Sequence, residues 1–196
     1  LAVHPSVAAN AVRELIAVAK AKPGALNYAS GAAGSTVHLA TELLKSMAGV
    51  NIVRIPYKGA APRITAVLSG EAQMTIDNVG FVTPHVKTGK LRALAVTSAE
   101  PSALFPGLPT MAASGLPGYE AVGLTGLFSS GKPPAAIINR LNQEIVRFLN
   151  RPEVKQTFFD RGGEVVAGSP EQFAAMINSD IAKWGKLIRD TGIKAD

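Results

Sequence analysis

The sequence predicts an α/β layer fold, and three observations carry that prediction. Short strand-like apolar runs alternate with stretches of helical period, and short loops containing Gly or Pro join them. The chain has 196 residues, 47% hydrophobic and 17% charged, which is enough to bury a sizeable core and unlike a disordered chain. Strands alternating with helices imply parallel pairing with helices on the sheet faces.

The elements follow in order. "AVRELIAVAKAKPG" sets Val12, Leu15, Ile16 and Ala19 on one helical face, and Pro23-Gly24 stops it. "LNYAS" reads as a strand, followed by the turn "SGAAGSTVH" and a helix with Leu39, Leu43 and Met47 on its stripe. "NIVRIPY" is the next strand, and "APRITAVLSG" a short helix with Pro62 in its first turn and Gly70 at its end. "AQMTI" is a strand, "TPHVKTG" a short helix and "LRALAVTS" a buried strand. Residues 99–120 are proline-rich without a clean period and read as a connector, 99–122, that closes a first region 1–122. In the second region, 123–196, "EAVGLTGLFSS" and "EVVAG" read as strands. A helix there stacks Ile137, Leu141, Ile145 and Leu149, and "RPEVKQTFFDRGG" forms a shorter one. The last helix opens on "SPEQ", with Ser169 as N-cap, Pro170 first and Gln172 closing a capping box; its stripe is Phe173, Ile177, Ile181, Trp184 and Ile188.

Composition narrows the function classes. Without cysteine there are no disulfides, thiolate metal sites or Cys nucleophiles. The formal charge of +6 favours anions, but the basic residues are scattered and interleaved with acids, so no nucleic-acid footprint forms. No apolar run approaches the ~20 residues of a membrane span. No charged n-region precedes an apolar h-region, so a signal peptide is not expected in this chain.

The best candidate site is the turn "SGAAGSTVH". Gly31 and Gly34 let a ligand approach the backbone, the helix start behind them presents unpaired N–H groups, and Ser35 and Thr36 add hydroxyls. A phosphate loop would need a Lys before the Ser/Thr, and none is there. A carboxylate or small anion fits; an ordinary N-capped turn fits equally well. "MTIDNVG" puts Asp77 and Asn78 at a strand end, where an α/β sheet presents residues to a crevice, or where either could cap a turn. Tyr57 and Lys58 follow another strand. His4, His38 and His85 lack metal-ligand spacing, and His38 is expected on a polar helix face, paired with Glu42. No nucleophile elbow or carboxylate pair is present, so neither catalysis, a metal nor a cofactor is expected.

Several stretches occur in a telling order: "HPS", "KPGALNYASGAAGSTVHLATELLKSMAGV", "IPYKGAAP", "GEAQMTIDN", "PHVKTGKLRALAVTS", "FPGLPTMAASGLPGY" and "GSPEQFAAMI". Together they resemble the Bug-type (TctC-like) solute-binding receptors of tripartite tricarboxylate transporters. The resemblance implies a type II periplasmic-binding-protein fold, here one complete lobe (1–122) plus the C-terminal, returning part of the other (123–196). It implies a periplasmic receptor without catalysis. The expected ligand is a small organic acid (a dicarboxylate, acidic amino acid or aromatic acid), and the expected partners are the membrane permease subunits. It assigns the carboxylate grip to Ala33, Gly34, Ser35 and Thr36, with Asp77 and Asn78 facing the cleft. Family members begin with a further segment that supplies the other half of the site. Exposed apolar surface is therefore expected, with self-association, or pairing with that further segment, covering the Ile137–Leu149 stripe. The alternative is the effector-binding domain of a LysR-type regulator, which shares the two-lobe fold but would need a helix-turn-helix.

Overall fold

The structure, a computed structural model, describes residues 1–194. The chain falls into two compact units: Leu1–Val122 with the chain from Leu187 onward, and Gly123–Lys186.

The first unit holds the sheet. Its strands are β1 (Ala2–Val3), β2 (Asn27–Ser30), β3 (Val53–Pro56), β4 (Met74–Thr75) and β5 (Arg92–Ala93), in the order β3-β2-β4-β1-β5. β2 pairs in parallel with β3 and β4, placing Tyr28 beside both Arg54 and Met74. This is the pairing that alternation with helices implies. The exception is β1, which lies antiparallel between β4 and β5, with Ala2 opposite Thr75 and Ala93. Two residues carry no readable period, so the sequence gives no sign of this strand.

Four helices belong to this unit: α1 (Val12–Ala21), α2 (Thr36–Ala48), α3 (Ala60–Leu68) and α4 (Val79–Lys87). α1 buries Val12, Leu15 and Ala19 as its stripe predicts. α2 is rotated from the expected stripe. It buries Leu39, Ala40, Leu44 and Ala48 together with His38 and Thr41, and leaves Met47 exposed. Ala40 and Ala48 on either side of Leu44 keep the buried face narrow, and the buried Tyr119 hydroxyl donates to the Ala40 carbonyl at 2.9 Å. Gly49 ends the helix in the left-handed conformation (φ 62°) that only glycine adopts without strain. Under α3 and α4, Ile64, Ala66, Val67 and Val82 pack with Ala2, Ala29, Ala72 and Leu91 into one apolar cluster.

The proline-rich stretch after residue 99 is not a bare connector. Met111, Leu116 and Tyr119 are buried, and Thr110 forms a parallel bridge with Val96. Prolines suppress the period there, but not the packing.

The second unit contains α5 (Ala135–Leu149), α6 (Pro152–Asp160) and most of α7 (Pro170–Thr191), whose last turns from Leu187 belong to the first unit. The capping box is present: the Ser169 N–H donates to Gln172 Oε1 at 2.8 Å, and the Gln172 N–H to Ser169 Oγ at 3.2 Å. The two strands expected in "EAVGLTGLFSS" and "EVVAG" do not form among the described residues. Leu127 and Phe128 are instead 75% and 76% exposed. A strand exists only through ladder bonds to a neighbour; without one, an apolar β-prone run stays open. α5 buries none of its residues, although its apolar stripe is as predicted. No helix of the described residues is long and apolar enough to cross a membrane.

Candidate functional site

Parallel β3, β2 and β4 lie side by side, and each leads by a short loop into a helix: β2 into α2, β3 into α3, β4 into α4. Parallel strands followed this way deliver all three helix N-termini to one sheet edge, with the β2–α2 turn between the other two. The first N–H groups of a helix lack intrahelical acceptors, and its dipole favours negative charge at that end. This edge therefore attracts anions through backbone alone.

The turn itself is organised by His38 and Ser35. Gly34, at φ 76°, donates its N–H to His38 Nδ1 at 3.0 Å. Ser35 is the N-cap of α2, its Oγ accepting from the His38 N–H at 3.4 Å while its own N–H donates to the Ala32 carbonyl. The N–H groups of Thr36 and Val37 have no protein acceptor among the described residues. Ala33 is half-buried, and Gly34 and Thr36 are exposed. His38 differs from its expected placement in being buried, with Nδ1 accepting the Gly34 N–H, while Nε2 lies 3.9 Å from Glu42 Oε1, within ion-pair distance of the expected partner. Glu42 also accepts from the Tyr28 hydroxyl and from Lys45 Nζ, each at 2.6 Å. Burial first, and then the Glu42 hydrogen bond, push the Tyr28 hydroxyl well above the usual phenol range.

Two guanidinium groups close on this turn. Arg54, projecting from β3, donates through Nη2 to the Gly31 carbonyl at 2.9 Å and through Nε to Ser30 Oγ at 3.3 Å. Arg63, on α3, grips Asp77 in a fork, Nε to Oδ2 at 2.6 Å and Nη2 to Oδ1 at 2.9 Å. A methyl group placed on Gly31 would lie 2.9 Å from Ser35 Oγ and 3.6 Å from Arg63 Nη1, so a side chain there would have to displace the Ser35 hydroxyl that caps α2. Arg63 thus joins the start of α3, through the Gly59 carbonyl at 3.5 Å, to the end of β4, with its Nη1 near the β2–α2 turn. Asp77 also accepts the Asn78 N–H at 2.8 Å, and Asn78 caps α4 by accepting the Gly80 N–H at 2.8 Å. Lys58 projects into solvent.

The structure therefore gathers Gly34, Ser35, Thr36 and Asp77 at one edge through Arg54 and Arg63, which the sequence did not single out, and through His38, which it placed on a polar helix face. One signal was readable. Arg63 is the sole charge between Lys58 and Glu71, inside an otherwise apolar helix. Taken together, the edge can hold an anion against helix N-termini and an ordered guanidinium.

A family model described as Tripartite tricarboxylate transporter family receptor matches residues 1–193. The protein BugT of Bordetella pertussis is 35% identical over 194 residues, covering 99% of this chain and 60% of its own length. A protein of Pseudomonas sp. (strain P51), encoded in the tcbD-tcbE intergenic region, is 33% identical over 94% of this chain and 55% of its own length. Among solved structures, an R. palustris protein determined with adipate superposes with a TM-score of 0.83 at 36% identity, over 98% of this chain and 64% of that one. The periplasmic binding protein BugD superposes with a TM-score of 0.83 at 27% identity, over 100% of this chain and 66% of that one. The chain thus spans less than two thirds of the length of these two curated relatives.

Proposed function

Because the chain belongs to the tripartite tricarboxylate transporter receptor family, we propose that it serves in an extracytoplasmic receptor. That receptor captures a small organic carboxylate and delivers it to the membrane subunits of a tripartite tricarboxylate-type transporter, without catalysis. The observation that carries this reading is the sheet edge where three helix N-termini meet the Arg54 and Arg63 guanidiniums around Gly31. In the proposed mode, a ligand carboxylate sits on the turn Ala33-Gly34-Ser35-Thr36, taking the Thr36 and Val37 N–H groups and the hydroxyls, as anions do at helix starts. Asp77 and Asn78 form the neighbouring wall. Adipate bound to the R. palustris neighbour supports a carboxylate as the class of ligand. A periplasmic location accords with the description of the BugD neighbour. The regulator alternative finds no support among the relatives described above.

Thermal unfolding of this chain with a panel of organic acids and neutral sugars tests the reading. A ligand that binds only the folded state stabilises it by about 2.7 kcal/mol at a hundredfold excess over Kd. Adipate is expected to raise the midpoint and sugars to leave it unmoved. Sugars shifting the midpoint while no acid does would overturn the assignment.

A further inference from the structure

We infer that His38 is a positioning residue of the β2–α2 turn and holds it only while its imidazole is neutral, which makes the turn sensitive to pH. The inference concerns the regulation of the proposed carboxylate site and, for ligand binding, rests on that reading. The Gly34 N–H donates to His38 Nδ1 at 3.0 Å. A backbone N–H can only donate, so Nδ1 is the unprotonated nitrogen of the ring and the imidazole proton sits on Nε2. A second proton adds at Nδ1 and turns the acceptor into a donor facing another donor. The Gly34 bond is therefore present while the imidazole is neutral and is lost as pH falls and the ring becomes charged.

The two partners differ in their freedom to respond. His38 is 5% exposed, and its backbone N–H is tied to Ser35 Oγ. Gly34 is exposed at φ 76°, with nothing within 4 Å of the place a Cβ would take. The glycine yields and the ring stays. That moves the backbone one residue before the Ser35 cap, beside the N–H groups of Thr36 and Val37. The surrounding groups do not compensate. Glu42, bonded to Lys45 and to Tyr28 of β2, faces Nε2, which carries a proton in both states. Arg54 of β3 and Arg63 of α3 approach the turn on the Gly31 side, not at Nδ1. Tyr119 meets α2 at the Ala40 carbonyl. Burial pushes both phenols up, away from the range in which an imidazole changes charge.

Heteronuclear magnetic resonance spectra of the isotope-labelled chain, from about pH 8 down to about pH 5, read this bond. The Gly34 amide signal is expected to shift along the same curve as the His38 ring signals. His38→Asn places an oxygen as many bonds from the backbone as Nδ1, an acceptor that does not titrate. In H38N the Gly34 signal should stay near its high-pH position throughout, while His4 and His85 titrate as before. His38→Leu removes the acceptor and should show the displaced signal at every pH. Circular dichroism checks its folding, and H38N decides the matter should H38L unfold. A Gly34 signal that stays put down to acid unfolding, that moves equally in H38N, or that keeps its high-pH position in folded H38L would overturn the role of His38. Calorimetric titration with adipate over the same range extends the test to the ligand. The wild-type affinity should fall by up to about tenfold per pH unit more than that of H38N, since protonation of adipate itself is common to both. Equal pH dependence in the two chains would overturn the link between His38 and the ligand. Failure of both chains to bind any acid would overturn the receptor reading and leave the Gly34 titration as evidence on the turn alone.

Discussion

Gly31 is bracketed by two cationic side chains. Its carbonyl accepts from Arg54, and a Cβ there would fall 2.9 Å from Ser35 Oγ. A side chain at this position would displace the hydroxyl that caps α2, which ties a backbone requirement to the start of that helix. Burial acts on the tyrosines too. Tyr28 and Tyr119 are fully buried, and desolvation lifts both hydroxyls well above the usual phenol value. Tyr57, bonded to Glu71, is pushed up to about 12, mainly by desolvation. All three tyrosines of the chain are thus shifted the same way. The neutral form is favoured on folding, so the linked stability is complete below the unfolded value near 10 and falls as pH rises above it. Absorbance at 295 nm is expected to stay flat through pH 10 in the folded chain and to rise there in 6 M guanidinium. A folded-state midpoint near pH 10 would contradict the burial of the Tyr28 and Tyr119 rings.

At the scale of elements, caps and turns set where helices begin. Ser169 and Gln172 exchange both bonds of the capping box of α7, so Ser169→Ala should destabilise the chain by about 1 kcal/mol, read as a lower urea midpoint at unchanged slope. Elements whose signal is local were the ones legible in the sequence: the α1 stripe, the SPEQ start, and the strands around Tyr28 and Arg54. Elements that depend on partners elsewhere in the chain were not. β1 has two residues and takes its strand character from β4 and β5. The run ending in Leu127 and Phe128 has strand composition but no ladder. The same distinction applies to the site. The Ser35 cap and the turn glycines are written locally, whereas the fork between Arg63 and Asp77 joins residues on different elements and appears only once α3 lies beside the end of β4.

At the scale of the molecule, burial is uneven. The sheet-bearing unit buries most of its apolar side chains, while residues 123–186 leave Leu127, Phe128, Ile137, Leu141, Val166 and Ile181 largely exposed. So many large apolar side chains exposed within one unit offer a dye a binding surface. 1-Anilinonaphthalene-8-sulfonate fluorescence is therefore expected to rise in the presence of the folded chain and to fall when Leu127 and Phe128 are both replaced by Ser. Unchanged dye emission in that double variant would place the exposed surface elsewhere.

The antiparallel strand β1 has a consequence for how the chain assembles. Its two residues precede every other element described, yet their partners are Met74 and Thr75 on one side and Arg92 and Ala93 on the other. Loop-closure entropy must be overcome across most of the first unit before either ladder forms, and such distant pairings slow folding. A nascent chain that has not reached Ala93 carries β1 with an unpaired edge. Closure of the sheet is thus a late event, set by the arrival of β5 rather than by the local order of the helices.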